Sequence, residues 1–423
     1  MCQRIIFHVD VNSAFLSWTA AYRVRVLGEK TDMREVPSVI AGNKDSRHGI
    51  ILAKSTPAKE FHIQTGEPLF QALEKCPELL VAQPDYGLYV EASRHFVEML
   101  RRFSPCVEQY SIDEAWADMT GTQRLYGDPR MAAEQLRSRI WEELGFTVNI
   151  GISTNKLLAK MAGDLEKPNK IITLFPEEIP GKMWPLPVRE LFMVGSATER
   201  KLVRMGIYSI GDLANADLNL LKRRLGKQGE LIWHYANGRN GDLVMAEPAE
   251  NKGYGNSVTT SADVVSEEAA LQVLLSLCET VGMRMRKDGK CGKCVTVSLR
   301  TKDFVSFSHQ KTLHGATNIT QTLFEASRDI FREAWDGCTP LRQLGVQVTG
   351  LTEEPYQQYD FFQNPVTFEK KLRLGEAVDS LRDKFGENII CRAKFARNPE
   401  SHMAGGLDKT RRTGVTKPVP KEF

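Results

Sequence analysis

Ile5-Ile6-Phe7-His8-Val9-Asp10-Val11-Asn12-Ser13-Ala14-Phe15 reads as a strand that ends on a carboxylate and turns into a helix. Ile5 to Val9 is apolar enough for a short buried strand, and Asp10 stands where the chain leaves the sheet. Asn12 or Ser13 is placed to cap a helix carrying Phe15, Trp18, Ala21 and Tyr22 on adjoining faces. The alternation continues outward from there. Val36 to Ala41 and Gly49 to Ala53 read as strands, and Asp85 to Phe103 as a long amphipathic helix. Val107 to Tyr110 and Ala115 to Met119 flank Ser111-Ile112-Asp113-Glu114 like the arms of a hairpin. Arg130 to Glu143 is helical, Phe146 to Ile152 a strand, and Thr154 to Glu166 a helix closed by Lys167-Pro168. A mixed α/β domain follows from strands and helices in that order.

Residues 176 to about 242 are helical and short-looped, entered through Pro176, Pro180, Pro185 and Pro187. Glu247 to Gly255, with Pro248, Gly253 and Gly255, reads as a linker. A second α/β module spans 256 to 355: a helix at Glu267 to Arg286, strands at Cys294 to Arg300 and near Val305 to Lys311, a helix at Ile319 to Trp335 and a strand at Leu344 to Leu351. Val366 to Phe385 is helical, and the basic end beyond it reads as mobile. The prediction is a multidomain α/β (α+β) protein.

Composition bounds the function. At 423 residues the chain holds roughly two to four domains. Its 42% hydrophobic and 26% charged residues exclude wholesale disorder. No stretch approaches the ~20 apolar residues of a membrane span. The eight cysteines are scattered in a pattern that suits reduced thiols better than a disulfide framework. A net charge of +3 permits a polyanion partner without arguing for one. The distribution says more: from Arg284 to Lys302, seven basic residues (Arg284, Arg286, Lys287, Lys290, Lys293, Arg300, Lys302) face the single Asp288. Such a block suits a region that holds a polyanion. Cys291-Gly292-Lys293-Cys294 suggests zinc, but no second ligand pair with suitable spacing accompanies it, so it reads as a loop.

Asp10, Asp113 and Glu114 are the chemically suggestive residues. Clustered carboxylates repel, and burial makes this worse unless a cation offsets it. Hard divalent ions suit all-oxygen sites, and a pair ~3.5–4 Å apart serves in-line phosphoryl chemistry. An Asp after a strand and an Asp-Glu in a turn are also common surface features, and spacing alone does not bring residues 10 and 113 together.

Three ordered motifs carry a resemblance: His8-Val9-Asp10-Val11-Asn12-Ser13-Ala14-Phe15, Tyr110-Ser111-Ile112-Asp113-Glu114-Ala115, and Gly151-Ile152-Ser153-Thr154-Asn155-Lys156-Leu157-Leu158-Ala159-Lys160. Together they resemble the Y-family, or translesion, DNA polymerases, closest to the bacterial DNA polymerase IV branch. The resemblance implies a palm with a ferredoxin-like core (1–19 and 79–175), fingers (20–78), a helical thumb (176–242), a linker (243–255), a little finger (256–355) and a tail from 356 to 423. It implies that Asp10, Asp113 and Glu114, with the Val11 carbonyl, hold two Mg²⁺, with Mn²⁺ as a substitute. Phe15 falls at the steric gate that excludes a ribose 2′-hydroxyl; its other reading is core packing beside Trp18. Lys167 falls at the lysine that touches the incoming triphosphate, or is an ordinary cationic helix end. Lys160 and Asp164 have the spacing of an i, i+4 pair.

There are departures from the family pattern. Ala14 stands where an aromatic often precedes the gate, and Thr56 and Lys59 stand where many members carry Tyr and Arg against the triphosphate. Lys59 brings charge without arginine's bidentate fork. Met193-Val194-Gly195-Ser196-Ala197-Thr198 resembles a helix-hairpin-helix, with Gly195 at the turn and Ala197 in place of the usual second glycine. The resemblance assigns DNA contacts to Arg284, Arg286, Lys287, Lys290, Lys293 and Arg300. Gln358-Tyr359-Asp360-Phe361-Phe362 resembles the peptide that docks bacterial polymerases on the sliding clamp, through Gln358, Phe361 and Phe362. Primer–template DNA, a dNTP and the clamp are the implied partners of a cytoplasmic monomer. The rivals are a palm-type nucleotide cyclase and a silent DNA-repair scaffold of the same fold.

Overall fold

The structure, a computed structural model, describes residues 3–42, 49–247, 250–353, 365–396 and 402–404. The chain forms two compact units that divide at residues 248 and 249. The first begins with β1 (Ile6–Val11), α1 (Ala14–Arg25), β2 (Ser38–Ala41), β3 (Ile51–Lys54), α2 (Thr56–Glu60), α3 (Leu69–Lys75) and β4 (Leu80–Ala82). It continues with α4 (Tyr86–Phe103), β5 (Val107–Gln109), β6 (Glu114–Asp118), α5 (Gln123–Tyr126), α6 (Pro129–Arg139), β7 (Val148–Ser153), α7 (Lys156–Leu165) and β8 (Ile171–Thr173).

These strands make a five-stranded sheet in the order β5-β6-β1-β7-β8. β1 runs antiparallel to both β6 and β7, and β7 pairs parallel with β8. Without β8, this is the strand–helix–hairpin–helix–strand arrangement of a ferredoxin-like core. Alternation along β1 sorts its side chains. Phe7, Val9 and Val11 enter the main core with Trp18, Tyr89, Phe96 and Phe146. Ile6, His8 and Asp10 take the other face, which α7 covers.

α7 lies unusually close to that face, and Gly151 is the reason. A Cβ on Gly151 would come within 1.9 Å of the Ala159 carbonyl and 2.4 Å of the Gly163 nitrogen. Only a residue without a side chain admits the helix there. Gly151 is the register partner of His8, so the helix lies directly over the strand that carries Asp10.

A separate three-stranded sheet, β3-β2-β4, packs its own small cores. The rest of the first unit is helical: α8 (Ile179–Lys182), α9 (Ser196–Val203), α10 (Ile210–Ala214), α11 (Leu218–Leu225) and α12 (Lys227–Ala236) enclose a core with Leu158 and Met161 of α7. Among all described residues, no helix is long and apolar enough to cross a membrane.

The second unit contains β9 (Gly253–Val264), α13 (Glu267–Lys287), β10 (Cys291–Thr301), β11 (Ser306–Thr317), α14 (Thr320–Ala334), β12 (Leu341–Thr352) and α15 (Pro365–Phe385). Its antiparallel sheet, in the order β11-β10-β12-β9, packs one face on α13 and α14. One expectation needs correction. Glu247 to Gly255 is not all linker, because β9 already starts at Gly253. Gly253 and Gly255 tolerate that strand because the neighbouring β12 backbone and Gln347 crowd the space of a Cβ. Within the C-terminal end that was expected to be mobile, Phe395, His402 and Met403 are buried, while most of its other described residues are exposed. There Glu279 of α13 accepts hydrogen bonds from Arg382 (2.9 Å) and Arg392 (2.5 Å), a buried carboxylate satisfied from two sides.

Candidate active site

β1 and β6 bring the acidic residues to one end of the sheet, with Asp10 and Glu114 as register partners. The Val11 amide donates to the Asp113 carbonyl at 3.0 Å, which seats the hairpin tip beside the end of β1. Asp113 accepts from its own turn, with Ser111 Oγ 2.5 Å from Oδ1. The three carboxylates do not converge on one point. Asp10 and Asp113 line a cleft of about 480 Å³, whereas the carboxylate of Glu114 is held by the Lys160 ammonium and by His8 Nε2 at 3.0 Å.

Lysines from and just beyond α7 sit on the acids. Lys167 pairs with Asp10 and, at 3.0 Å, with Asp164. Lys160 pairs with Glu114 instead of the expected Asp164. Burial would push Glu114 up, but hydrogen bonds from His8 and Lys160 overcome it and hold this carboxyl at about 2. Burial would also depress Lys167; the Asp10 carboxylate reverses that and raises it. Burial lowers the affinity of His8 for a second proton, the Glu114 hydrogen bond opposing, so the imidazole stays neutral and donates from Nε2.

Asn149 fixes the turn that carries Lys167. Its amide donates to the Gly163 (2.9 Å) and Glu166 (2.6 Å) carbonyls, and its Oδ1 accepts from Asn12 Nδ2 at 3.1 Å. Asn12 Oδ1 in turn accepts from the Asn169 amide and Thr147 Oγ1, each at 3.0 Å. The helix after Asn12 has no side-chain cap: Ser13 is left-handed at φ 47°, and Ser17 Oγ donates back to the Asn12 carbonyl instead.

Phe15 lines the same cleft. Its ring stacks on Tyr89, with centroids 4.5 Å apart and planes 13° apart, and packs near Trp18 and Tyr86. It therefore has a packed face as well as one lining the cleft. The cleft is also lined by Thr56 and Lys59 of α2, the first turn of which is capped by Ser55 Oγ, and by Lys54 at the end of β3. Sequence reasoning missed Lys54, His8 and the Lys160 contact. Lys54 is the last residue of a short apolar strand, much as Asp10 is the polar residue near the end of β1, and that parallel was the available signal.

The donor set suits a hard cation. Asp10, Asp113, Glu114 and the Val11 carbonyl are all oxygen, and ammonium groups already stand in as cations on two of them. As the side chains lie, no group of three His, Cys, Asp or Glu among the described residues is close enough to hold an ion. Lys160 and Lys167 hold two of the carboxylates that such a group would use.

The expected DNA contacts fall differently. Gly195 precedes α9, whose first amides have no side-chain cap. Arg284 donates to Asn256 Oδ1 at 2.7 Å, Lys287 and Lys293 are exposed, and Lys290 pairs with Glu353 at 2.9 Å. Arg286 is a correction: its side chain is only 6% exposed and grips Asp379 of α15 at 2.6 Å, so it faces inward. Cys291 and Cys294 lie in β10, not in a loop, and form no metal cluster among the described residues. Gln358, Phe361 and Phe362 lie outside the described residues.

The solvent face of the second sheet is a feature the sequence hid. Its cross-strand rows read Thr259, Gln343, Arg300 and Ser306, then Ser257, Gly345, Ser298 and Ser308, then Gly255, Gln347, Thr296 and Gln310. These rows hold small polar residues and one arginine, with no acid, which suits close approach to phosphates.

The two regions define a class with a polymerase fold. Among solved structures the chain matches a Y-family DNA polymerase chimera at a TM-score of 0.70, with 21% identity, covering 83% of this chain and 100% of that one. The impB/mucB/samB family matches residues 9–164, and the C-terminal domain of that family matches residues 251–361. The chain is 45% identical over 397 residues to a DNA polymerase IV of Clostridium acetobutylicum, covering 94% of this chain and 99% of that one. It is 37% identical over 401 residues to DNA polymerase IV 2 of Bacillus subtilis, covering 93% and 95%. The chain belongs to the impB/mucB/samB family, within the Y-family DNA polymerases.

Proposed function

We propose that this chain, a DNA-directed DNA polymerase by family, extends a primer on damaged as well as intact template, as an error-prone translesion enzyme of the cytoplasm. The reading rests most on one cleft, in which Asp10, Asp113, Phe15, Lys54, Lys59 and Lys167 share a single space. Lys54, Lys59 and Lys167 would take the triphosphate, and the Phe15 ring would lie under the deoxyribose. Asp10, Asp113 and Glu114 with the Val11 carbonyl would hold two Mg²⁺, or Mn²⁺; when bound, these supply Lewis-acid activation of the primer 3′-oxygen and neutralise charge on the leaving pyrophosphate. Lys167 releases Asp10 as it moves to the phosphates, so nucleotide entry frees the carboxylate.

In this reading residues 1–19 and 79–175 form the palm, 20–78 the fingers, 176–242 the thumb, and 256–355, together with Gly253 to Gly255 at the start of β9, the little finger, reached by a linker from 243 to 252. Gly195 would bind DNA phosphate through its turn, and Arg284, Lys287, Lys290, Lys293 and Arg300 would bind it from the second unit. The enzyme acts as a monomer, and Gln358, Phe361 and Phe362, in the segment 356–423, tether it to the sliding clamp. Primer extension on undamaged and lesion-bearing templates tests the function: both are extended with Mg²⁺ and neither after chelation. No extension in either case would reject it. Replacing Phe361 and Phe362 by Ala leaves clamp-free synthesis intact and loses clamp pull-down; equal recovery of clamp would exclude the tether.

A further inference from the structure

The turn from β10 to β11 carries Phe304 with 57% of its surface exposed and its backbone at φ 64°. A bulky side chain in the left-handed region is strained, and glycine or asparagine is the ordinary choice there. Backbone hydrogen bonds close this turn nonetheless. The Thr301 amide donates to the Val305 carbonyl at 2.9 Å, Phe304 N–H to the Thr301 carbonyl at 3.0 Å, and Lys302 N–H to the Pro340 carbonyl at 3.1 Å. Two guanidiniums stand against the ring, Arg300 at 4.8 Å and Arg342 at 5.0 Å from its centroid. Among the described residues neither is paired with a carboxylate, and the buried Nε of Arg300 has no hydrogen-bond partner. Phe304 does not belong to the core cluster of its unit, so packing does not account for it.

We propose that Phe304 is a stacking platform for an unpaired base of the template strand, with Arg300 and Arg342 holding the adjoining phosphates. The proposal rests on the reading of the chain as a template-directed polymerase. An aromatic face beside cations is the recurrent means of gripping single-stranded nucleic acid, since every base has a π-face and every linkage a charge. Val305, 61% exposed beside it, would equally suit an apolar protein partner, but Arg300, Arg342 and Lys302 outnumber the single Asp303 and favour a polyanion. The ring also adjoins the acid-free row of Thr259, Gln343, Arg300 and Ser306, so a strand leaving that face meets it next.

The test uses the full chain and two DNA ligands, a primer–template with a single-stranded 5′ overhang carrying 2-aminopurine and a blunt duplex of equal length. Phe304→Ala should weaken the overhung ligand about fivefold or more, with loss of the 2-aminopurine quench, and leave the blunt duplex unchanged. Phe304→Trp should restore both signals, and Phe304→Leu, which keeps apolar volume without a ring, should not. Arg342→Ala should lower the salt slope for the overhung ligand by about 0.7. Equal weakening of both ligands, no weakening, or a leucine variant as good as tryptophan would overturn the platform. Primer extension by the unmodified chain is read separately. Extension without an overhang effect sinks the platform alone, and absent extension sinks the polymerase reading while the binding result still judges Phe304.

Discussion

Asp113→Ala lowers primer extension by roughly 10³-fold or more, the scale of several kcal/mol of lost transition-state stabilisation at a metal site. Among the three acids, Asp113 gives the cleanest experiment. Its contribution to the fold runs through its backbone carbonyl, which accepts from the Val11 amide and survives truncation. The side chain bonds only within its own turn, to Ser111. Loss of that one hydrogen bond costs about 0.5–1.5 kcal/mol, too little to unfold the unit. Glu114→Ala is the contrasting case. It would strand the Lys160 ammonium and the buried His8 Nε2 together, so lost activity could reflect a damaged core. Removing a negative charge beside the DNA leaves primer–template affinity unchanged or slightly tighter. Gel-resolved extension with a parallel binding titration reads both, and retention of more than about a tenth of the wild-type rate would remove Asp113 from the chemistry.

The legible parts of this chain are those set by local pattern. The helix Tyr86–Phe103 lies one residue inside its expected start because Asp85 caps it, accepting from the Gly87 and Leu88 amides. β1, the 107–118 hairpin and α7 follow from alternation and turn chemistry in the same way. β4 and β8, at three residues each, have too few positions to show a period. The site was half visible. Asp10, Asp113 and Glu114 carry their own chemical signal, whereas the partners that tune them come from far along the chain. Lys160 lies 46 residues from Glu114, His8 lies 106 from it, and Lys167 lies 157 from Asp10. The lysine pairings depend on α7 lying against Gly151, and His8 meets Glu114 only through the pairing of β1 with β6; no local periodicity encodes either contact. Arg286 shows the opposite error: a basic run looked uniformly solvent-facing, yet one member turned inward to Asp379 of a later helix.

Phe15→Ala raises ribonucleotide incorporation relative to deoxyribonucleotide by about 10²-fold, the scale at which a pocket separates substrates differing by one small group. The ring has two jobs, and the experiment must part them. It stacks on Tyr89 and packs near Trp18, so truncation removes contacts worth roughly 2–4 kcal/mol if the site fails to collapse. That loss lowers the folded fraction and slows both nucleotides alike. Discrimination is a ratio, and a uniform loss cancels from it. A 2′-hydroxyl, by contrast, is excluded only where the ring's cleft-lining face reaches the sugar, so its effect falls on ribonucleotides alone. Phe15→Leu keeps much of the packing and part of the bulk, and should lie between. Single-nucleotide insertion with paired dNTP and rNTP, alongside a melting curve, separates the roles. If the ratio stays within about threefold while the melting temperature falls, Phe15 is a core residue and the sugar is read elsewhere in the cleft.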